Sequence, residues 1–205
     1  MHNHNLPDNV RQWITNSIGP GASIQSTRQL SGATSSTPHH IETMYKGRQH
    51  DFVLRRFTKT EWLLDEPDLA LHEAEVLKKA ADVQIATPEL IAYDETGEHC
   101  DVPAILMTMV PGMVELYPHD FDKWLYELAA ALLPIHALDA DTFPWAYFTY
   151  GDISAVTVPQ WSYQPDLWEK ALQIAKQPLP NVPQRFIHRD YHPFNVLWQG
   201  SHLSG

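Results

Sequence analysis

The 205 residues are 43% hydrophobic and 19% charged, enough apolar mass for a buried core, which excludes a disordered polypeptide. Against 25 Asp and Glu stand 14 Lys and Arg, a formal net charge of −11 that argues against phosphate-driven binding of nucleic acid. The single cysteine, Cys100, excludes an internal disulfide and fits a reducing, cytoplasmic compartment. No apolar run is long enough for a membrane span, the first eight residues lack the regions of a signal peptide, and the 12 histidines lack the paired spacing of a zinc site.

In chain order, the pattern predicts a short helix over Asn9–Ile18, stopped by Gly19-Pro20-Gly21. Three strands follow, Ile24–Leu30, His39–Tyr45 and His50–Phe57. A small-residue loop from Ser31 to Thr37 and the turn Lys46-Gly47-Arg48 join them into an antiparallel meander. Leu69–Ala81 has helical spacing, with Leu69, His72, Val76, Leu77 and Ala80 near one stripe. Strands are expected at Glu89–Tyr93 and Ala104–Met109, the second stopping at Val110-Pro111-Gly112. Phe121–Leu138 is the longest predicted helix, with Trp124, Leu125, Leu128, Leu132 and Ile135 on one face and Pro134 distorting its last turn. Residues 139–164 read as irregular and Asp166–Gln177 as a helix, while Arg185–Ile187 and Val196–Trp198 read as short strands around a polar loop. The fold class is α+β: an antiparallel sheet lobe over residues 1–111 beside a partial helical lobe over 112–205.

The polar loop is the chemically pointed part. His188, Arg189, Asp190 and Asn195 follow the order H-R-D-x-x-x-x-N, the spacing of a kinase catalytic loop. At that spacing Asp190 can accept the proton of an attacking hydroxyl, and Asn195 can ligate the magnesium that neutralises ATP phosphates. His188 lies too close to the apolar strand to be the base and is expected to hold the backbone. His192 is either a group near the transferred phosphoryl or a surface turn residue.

Upstream, Ser31, Gly32 and Ser35 can offer backbone N–H groups and hydroxyls to phosphate oxygens, or form an ordinary hairpin loop. Strand alternation turns Arg55 inward and Arg56 to solvent, making Arg55 the phosphate cation. Glu73, near the apolar stripe, is favoured over Glu75 as its carboxylate partner. Backbone groups of Thr108, Met109 and Val110 can meet an adenine edge, with Met107 and Met109 as apolar cover; the alternative is a core strand and its turn.

Together these segments resemble the aminoglycoside phosphotransferase family, which also includes choline, homoserine and fructosamine kinases. The resemblance rests on Val53-Leu54-Arg55, His72–Leu77, Leu106–Gly112, Leu133-Pro134-Ile135-His136 and Ile187–Trp198, in family order over roughly residues 24–205. It implies a bilobal protein-kinase-like fold and ATP- and magnesium-dependent (Mg2+) phosphorylation of a small-molecule hydroxyl, aminoglycoside-like or amino-alcohol. It carries over Asp190 as base, Asn195 as metal ligand, and Arg55 with Glu73 as the phosphate-positioning pair. Phe194 stands where the family commonly has glycine, and Arg55 replaces a more usual lysine. Family members follow the loop with a second metal-binding aspartate, whereas residues 196–205 contain no acid. The expectation is therefore an incomplete site of weak activity, with the apolar faces of Phe121–Leu138 and Val196–Trp198 exposed and prone to self-association. An inactive nucleotide- or partner-binding remnant is the alternative.

Overall fold

The structure is a computed structural model that describes residues 6–33, 36–148, 151–178 and 183–205. Its helices are α1 (Asp8–Ile18), α2 (Thr60–Asp65), α3 (Leu69–Ala80), α4 (Phe121–His136) and α5 (Pro165–Ala175). Its strands are β1 (Ser23–Gln29), β2 (Thr37–Tyr45), β3 (Arg48–Arg56), β4 (Leu90–Asp94), β5 (Ala104–Thr108), β6 (Trp198–Gln199) and β7 (His202–Leu203). The first five strands form one sheet in the order β1-β2-β3-β5-β4, every pair antiparallel, with β3 at its centre.

The β2–β3 hairpin closes through Lys46 and Gly47 at φ 50° and 72°, with Tyr45 paired to Arg48. Two successive positive φ values make the type of two-residue turn whose twist matches a right-handed hairpin. That turn sets the register, and the register sets the two faces of the sheet. Ile41, Leu54 and Leu106 are fully buried with Val10 and Ile14 of α1 on one face. On the other face Ile105 and the neighbouring Phe57 meet Leu69, Ala70 and Leu77 of α3. Burying each such side chain contributes about 1.5–3 kcal/mol, so the sheet is clamped between α1 and α3.

Asp94 ends β4 as a buried carboxylate that accepts the backbone N–H groups of Gly97 (3.1 Å), His99 (2.8 Å) and Cys100 (2.8 Å). Three N–H donors offset the cost of burying the charge and tie down the β4–β5 loop. Gly97, at φ 82°, leaves no room for a Cβ, which would lie 2.7 Å from Val102 backbone. Cys100 is wholly buried beneath this loop.

The helical part packs around Trp124, Leu128, Val196 and Trp198, and the two indoles stack at 6.0 Å. Met113 and Trp198 exchange backbone hydrogen bonds of 3.0 and 2.8 Å, joining the segment after β5 to the segment after the Asp190 loop. Asp120 caps α4 by accepting the Lys123 N–H at 3.0 Å. The helix runs past Pro134 and stops at His136, short of the predicted Leu138. No helix among the described residues is long and apolar enough to cross a membrane.

Several expectations change. Helix α2 was not anticipated, because six residues carry too little periodicity to stand out. Arg185–Ile187 forms no strand; only Phe186 of the three is buried, held by ring contact with Phe143 rather than by a ladder. The strand expected at Val196–Trp198 begins only at Trp198, turning through Gly200 into β7. Val196 and Trp198 are also not stripped of cover, being 3% and 4% exposed, since α4 lies on them. Leu125 and Leu133 of α4 do face solvent.

Burial, followed by the neighbouring Asp94 carboxylate, pushes the Cys100 thiol up to about 12. A thiol whose folded value exceeds its unfolded one ionises more readily on unfolding. Its contribution to stability is constant below about pH 8 and falls as pH climbs from about 9 toward 12. Native protein at pH 8 should therefore leave Cys100 unreactive to Ellman's reagent, with full reaction in denaturant. The urea midpoint should drop more between pH 8 and 10 in the wild type than in Cys100→Ala.

Candidate active site

Asp190 lies on a loop that closes on itself. Its backbone N–H donates to His188 Nδ1 at 3.3 Å. Asn195 Nδ2 donates both to the Asp190 carbonyl and to its Oδ2, each at 2.9 Å. Pro193–Asn195 form one 3-10 turn after His192, which folds the asparagine back over the aspartate. With its nitrogen committed on both protons, the Asn195 amide leaves Oδ1 without a partner among the described residues. A hard oxygen donor beside a carboxylate is the type of ligand magnesium takes.

The two histidines have distinct positions. His188 Nδ1 accepts the Asp190 N–H, so the ring proton sits on Nε2. Burial lowers its pKa, Asp190 opposing, while part of the ring still reaches solvent. The ring also meets Tyr191 edge-on at 5.6 Å, and Tyr191 Oη donates to the Leu128 carbonyl of α4 at 2.7 Å. His188 thus ties the loop backbone to α4. His192 Nδ1 accepts the Phe194 N–H at 3.2 Å, which places its proton on Nε2, 3.4 Å from Asp190 Oδ1. The Asp190 carboxylate is held at both oxygens, yet 76% of its side chain is open to solvent. That combination suits a base that must meet an incoming hydroxyl.

Arg55 lies on central strand β3. Its Nη1 pairs with Glu73 Oε2 of α3 at 2.5 Å, and its Nε donates to Ser36 Oγ at 3.3 Å. Glu75 turns away and pairs with Lys78. Burial pushes the Glu73 carboxyl above its ordinary value and the Arg55 guanidinium pulls against that. The Glu73 side chain still meets solvent over 26% of its surface, and the arginine beside it is permanently charged. Arg56 differs from expectation. It points to the α1 face, donates from Nη2 to the Cys100 carbonyl at 3.0 Å and is only 15% exposed, because a strand's second face here is a core face.

The loop between β1 and β2 is closed by Leu30 N–H to Pro38 O at 2.8 Å. Pro38 pairs with Arg55 across the sheet, so Ser31 and Gly32 belong to the same sheet end as the cation. Both are exposed, and Gly32 takes φ 99° with open space around it. Ser35 lies outside the described residues. Ser36, not singled out among the candidates, is the buried hydroxyl that orients Arg55; its only sequence signal was its place in a serine-rich loop.

Of the three residues expected to meet an adenine edge, two have their N–H groups engaged. Thr108 N–H donates to Glu89 O at 2.9 Å and Met109 N–H to Asp51 O at 3.1 Å, because the sheet extends one residue further than the strand. Val110 is the one whose N–H and carbonyl have no backbone partner among the described residues.

Replacing Arg55 by Met should cost on the order of 2 kcal/mol, below the figure for a fully buried pair because both side chains meet some solvent. Without the guanidinium the Glu73 carboxyl rises further. A carboxyl raised in the folded state makes stability fall as pH rises through the window above its unfolded value. The deficit against wild type should therefore be larger at pH 8 than at pH 5, read by urea unfolding.

Comparison with known proteins fits this geometry. The model of the Phosphotransferase enzyme family matches residues 39–205. Among curated proteins nothing matches the chain. A solved protein of Ralstonia eutropha JMP134, assigned as an aminoglycoside phosphotransferase, is 15% identical with a TM-score of 0.59, over 96% of this chain and 62% of that one. A thermostable variant of aminoglycoside phosphotransferase APH(4)-Ia in its apo form is 16% identical with a TM-score of 0.59, over 95% and 69%. A further variant of that enzyme, in ternary complex with AMP-PNP and hygromycin B, is 15% identical with a TM-score of 0.55, over 96% and 69%. The chain thus spans 62% of the length of the first of these relatives. At such identities the structures establish the fold, an α+β kinase-like architecture. The family match covers β3, α3, α4 and the loop of Asp190 and Asn195, and by it the chain belongs to the Phosphotransferase enzyme family.

Proposed function

We propose that this chain carries the nucleotide-holding and base-bearing parts of an ATP-dependent phosphotransferase that acts on a hydroxyl of a small molecule, aminoglycoside-like or amino-alcohol. The observation that carries the reading is the Asp190 carboxylate, fixed by Asn195 and open to solvent, in a chain that also holds a strand cation paired to a helix carboxylate. Residues 1–111 act as the nucleotide lobe and 112–205 as the part that supplies the catalytic loop.

Bound Mg-ATP would supply the transferable phosphoryl group and the charge neutralisation that lets it leave. The chain's own residues do the rest. Arg55, oriented by Glu73 and Ser36, directs its guanidinium to phosphate oxygens as a planar fork. Backbone N–H groups of Ser31 and Gly32 face the phosphates, and Val110 offers its N–H and carbonyl to an adenine edge. Met109, exposed at the end of the strand, gives apolar cover to the base. Asn195 Oδ1 would hold magnesium. Asp190 orients the acceptor hydroxyl and takes its proton at a carboxylate oxygen, while His192 Nε2–H steadies the other oxygen. The formal charge of −11 favours a cationic acceptor such as an amino sugar.

The test is transfer of labelled phosphate from ATP to a panel of amino sugars and amino alcohols, beside binding of a fluorescent ATP analogue. Asp190→Ala should lower transfer at least about 100-fold while leaving analogue binding within about twofold. Asn195→Ala should raise the magnesium needed for half-maximal binding about tenfold. Absence of analogue binding in the wild type would overturn the reading.

A further inference from the structure

Two carboxylates are buried among the described residues, Asp94 and Glu66. Asp94 is satisfied by the backbone of its own loop, but Glu66 is not. It follows the last turn of α2, at the negative end of a helix, where a buried anion is disfavoured. Its Oε2 lies 3.4 Å from Nη1 of Arg189, a residue 123 positions later in the chain. The same oxygen is 3.9 Å from His72 Nδ1. Arg189 stands between His188 and Asp190, so the partner of this buried anion is part of the base-bearing loop.

The joint is broader than one pair. The Arg189 guanidinium lies over the Phe148 ring at 4.1 Å. His72 stacks on Trp145 at 4.6 Å with the planes 7° apart, and Trp145 Nε1–H donates to Asp68 Oδ2 at 2.8 Å. Phe143 completes the stack and meets Phe186 edge-on at 5.2 Å. The connection between α2 and α3, at Glu66 and Asp68, and the first turn of α3, at His72, are therefore fastened to the chain that leads into Asp190. His72 is the sequence neighbour of Glu73, which holds Arg55. One helix thus holds Arg55 through Glu73 and, through His72, meets Trp145 and the Glu66 carboxylate that pairs with Arg189.

We propose that Glu66 and Arg189 are positioning residues that fix the Asp190 loop at its working distance from the Arg55–Glu73 pair; this rests on the phosphotransfer reading above. A charge-assisted contact shielded from solvent is stiff, and a displacement of about 1 Å in a reacting group can cost about 100-fold in rate. Neither side chain touches substrate in this scheme. Each acts through its neighbour, Arg189 through Asp190 and Glu66 through Arg189.

The experiment uses the full chain with Glu66→Gln, which keeps volume and a carbonyl acceptor, together with Glu66→Ala, Arg189→Met and Arg189→Lys. Two readouts are taken: phosphotransfer kinetics, and backbone hydrogen exchange over residues 186–196 against β2 and β3. Glu66→Ala and Arg189→Met should each lower kcat about 10-fold or more, with KM for ATP within about twofold. The double variant should be no worse than either single, and Arg189→Lys should recover most of the rate. Exchange over 186–196 should quicken about tenfold while β2 and β3 keep their protection. Unchanged kcat and loop exchange in Glu66→Ala would overturn the proposal. So would quickening of β2 and β3 to the same degree in Glu66→Gln, since that marks a general loss of stability. If the wild type binds no ATP analogue, the phosphotransfer reading fails; in that case, or where it binds but transfers no phosphate, loop exchange alone decides whether Glu66 holds the loop.

Discussion

The contact on which the rest of the site depends is the ion pair between Arg55 and Glu73. Arg55 sits on β3, the central strand, with β2 on one side and β5 on the other. It cannot shift without breaking two ladders. Glu73 sits on α3, which is pressed to the sheet by Leu69, Ala70 and Leu77. The pair therefore does more than join two charges. It sets the rotation of α3 about its axis, and through His72 that rotation reaches the aromatic stack around Trp145.

A partly buried pair of this kind gives little net stability, because desolvating two charges offsets most of their attraction. Its value is geometric. The hydrophobic contacts of the sheet can be satisfied by several small rotations of α3, whereas a guanidinium held by Glu73 and Ser36 accepts only one. The same reasoning applies to Glu66 and Arg189. In both cases a wholly or partly desolvated carboxylate restricts an arginine, and the apolar core supplies the stability that allows it.

The Asp190 loop obeys a different logic. Its bonds are short-range: Asp190 to His188, Asn195 to Asp190, Phe194 to His192. Such a loop forms from its own residues once its ends are held, and both ends are. Tyr191 anchors to the α4 backbone, and Val196 with Trp198 packs beneath Trp124 and Leu128. Phe194, bulky where the family commonly has glycine, is 65% exposed, and its ring meets His192 edge-on at 5.8 Å.

Local pattern was enough for the large elements. Runs of strand-forming residues between turn signals gave β1 to β3, and the turn expected over Lys46-Gly47-Arg48 closes through Lys46 and Gly47 alone, with Arg48 already in β3. Apolar spacing marked α3 and α4 to within two residues, and the loop spacing brought Asp190 and Asn195 together because the bonds that join them span only five positions. What the sequence could not decide were features made by distant partners. Arg56 looked solvent-facing until the β4–β5 loop supplied the Cys100 carbonyl. Thr108 and Met109 looked free until Glu89 and Asp51 took their N–H groups. Glu66 carried no motif at all, since its meaning comes from Arg189, 123 residues away. By itself the sequence determined which side chains carry charge and hydrogen-bonding capacity and how each segment repeats. Only the tertiary structure decided which of those groups are desolvated and paired, because desolvation depends on what the rest of the chain places around them.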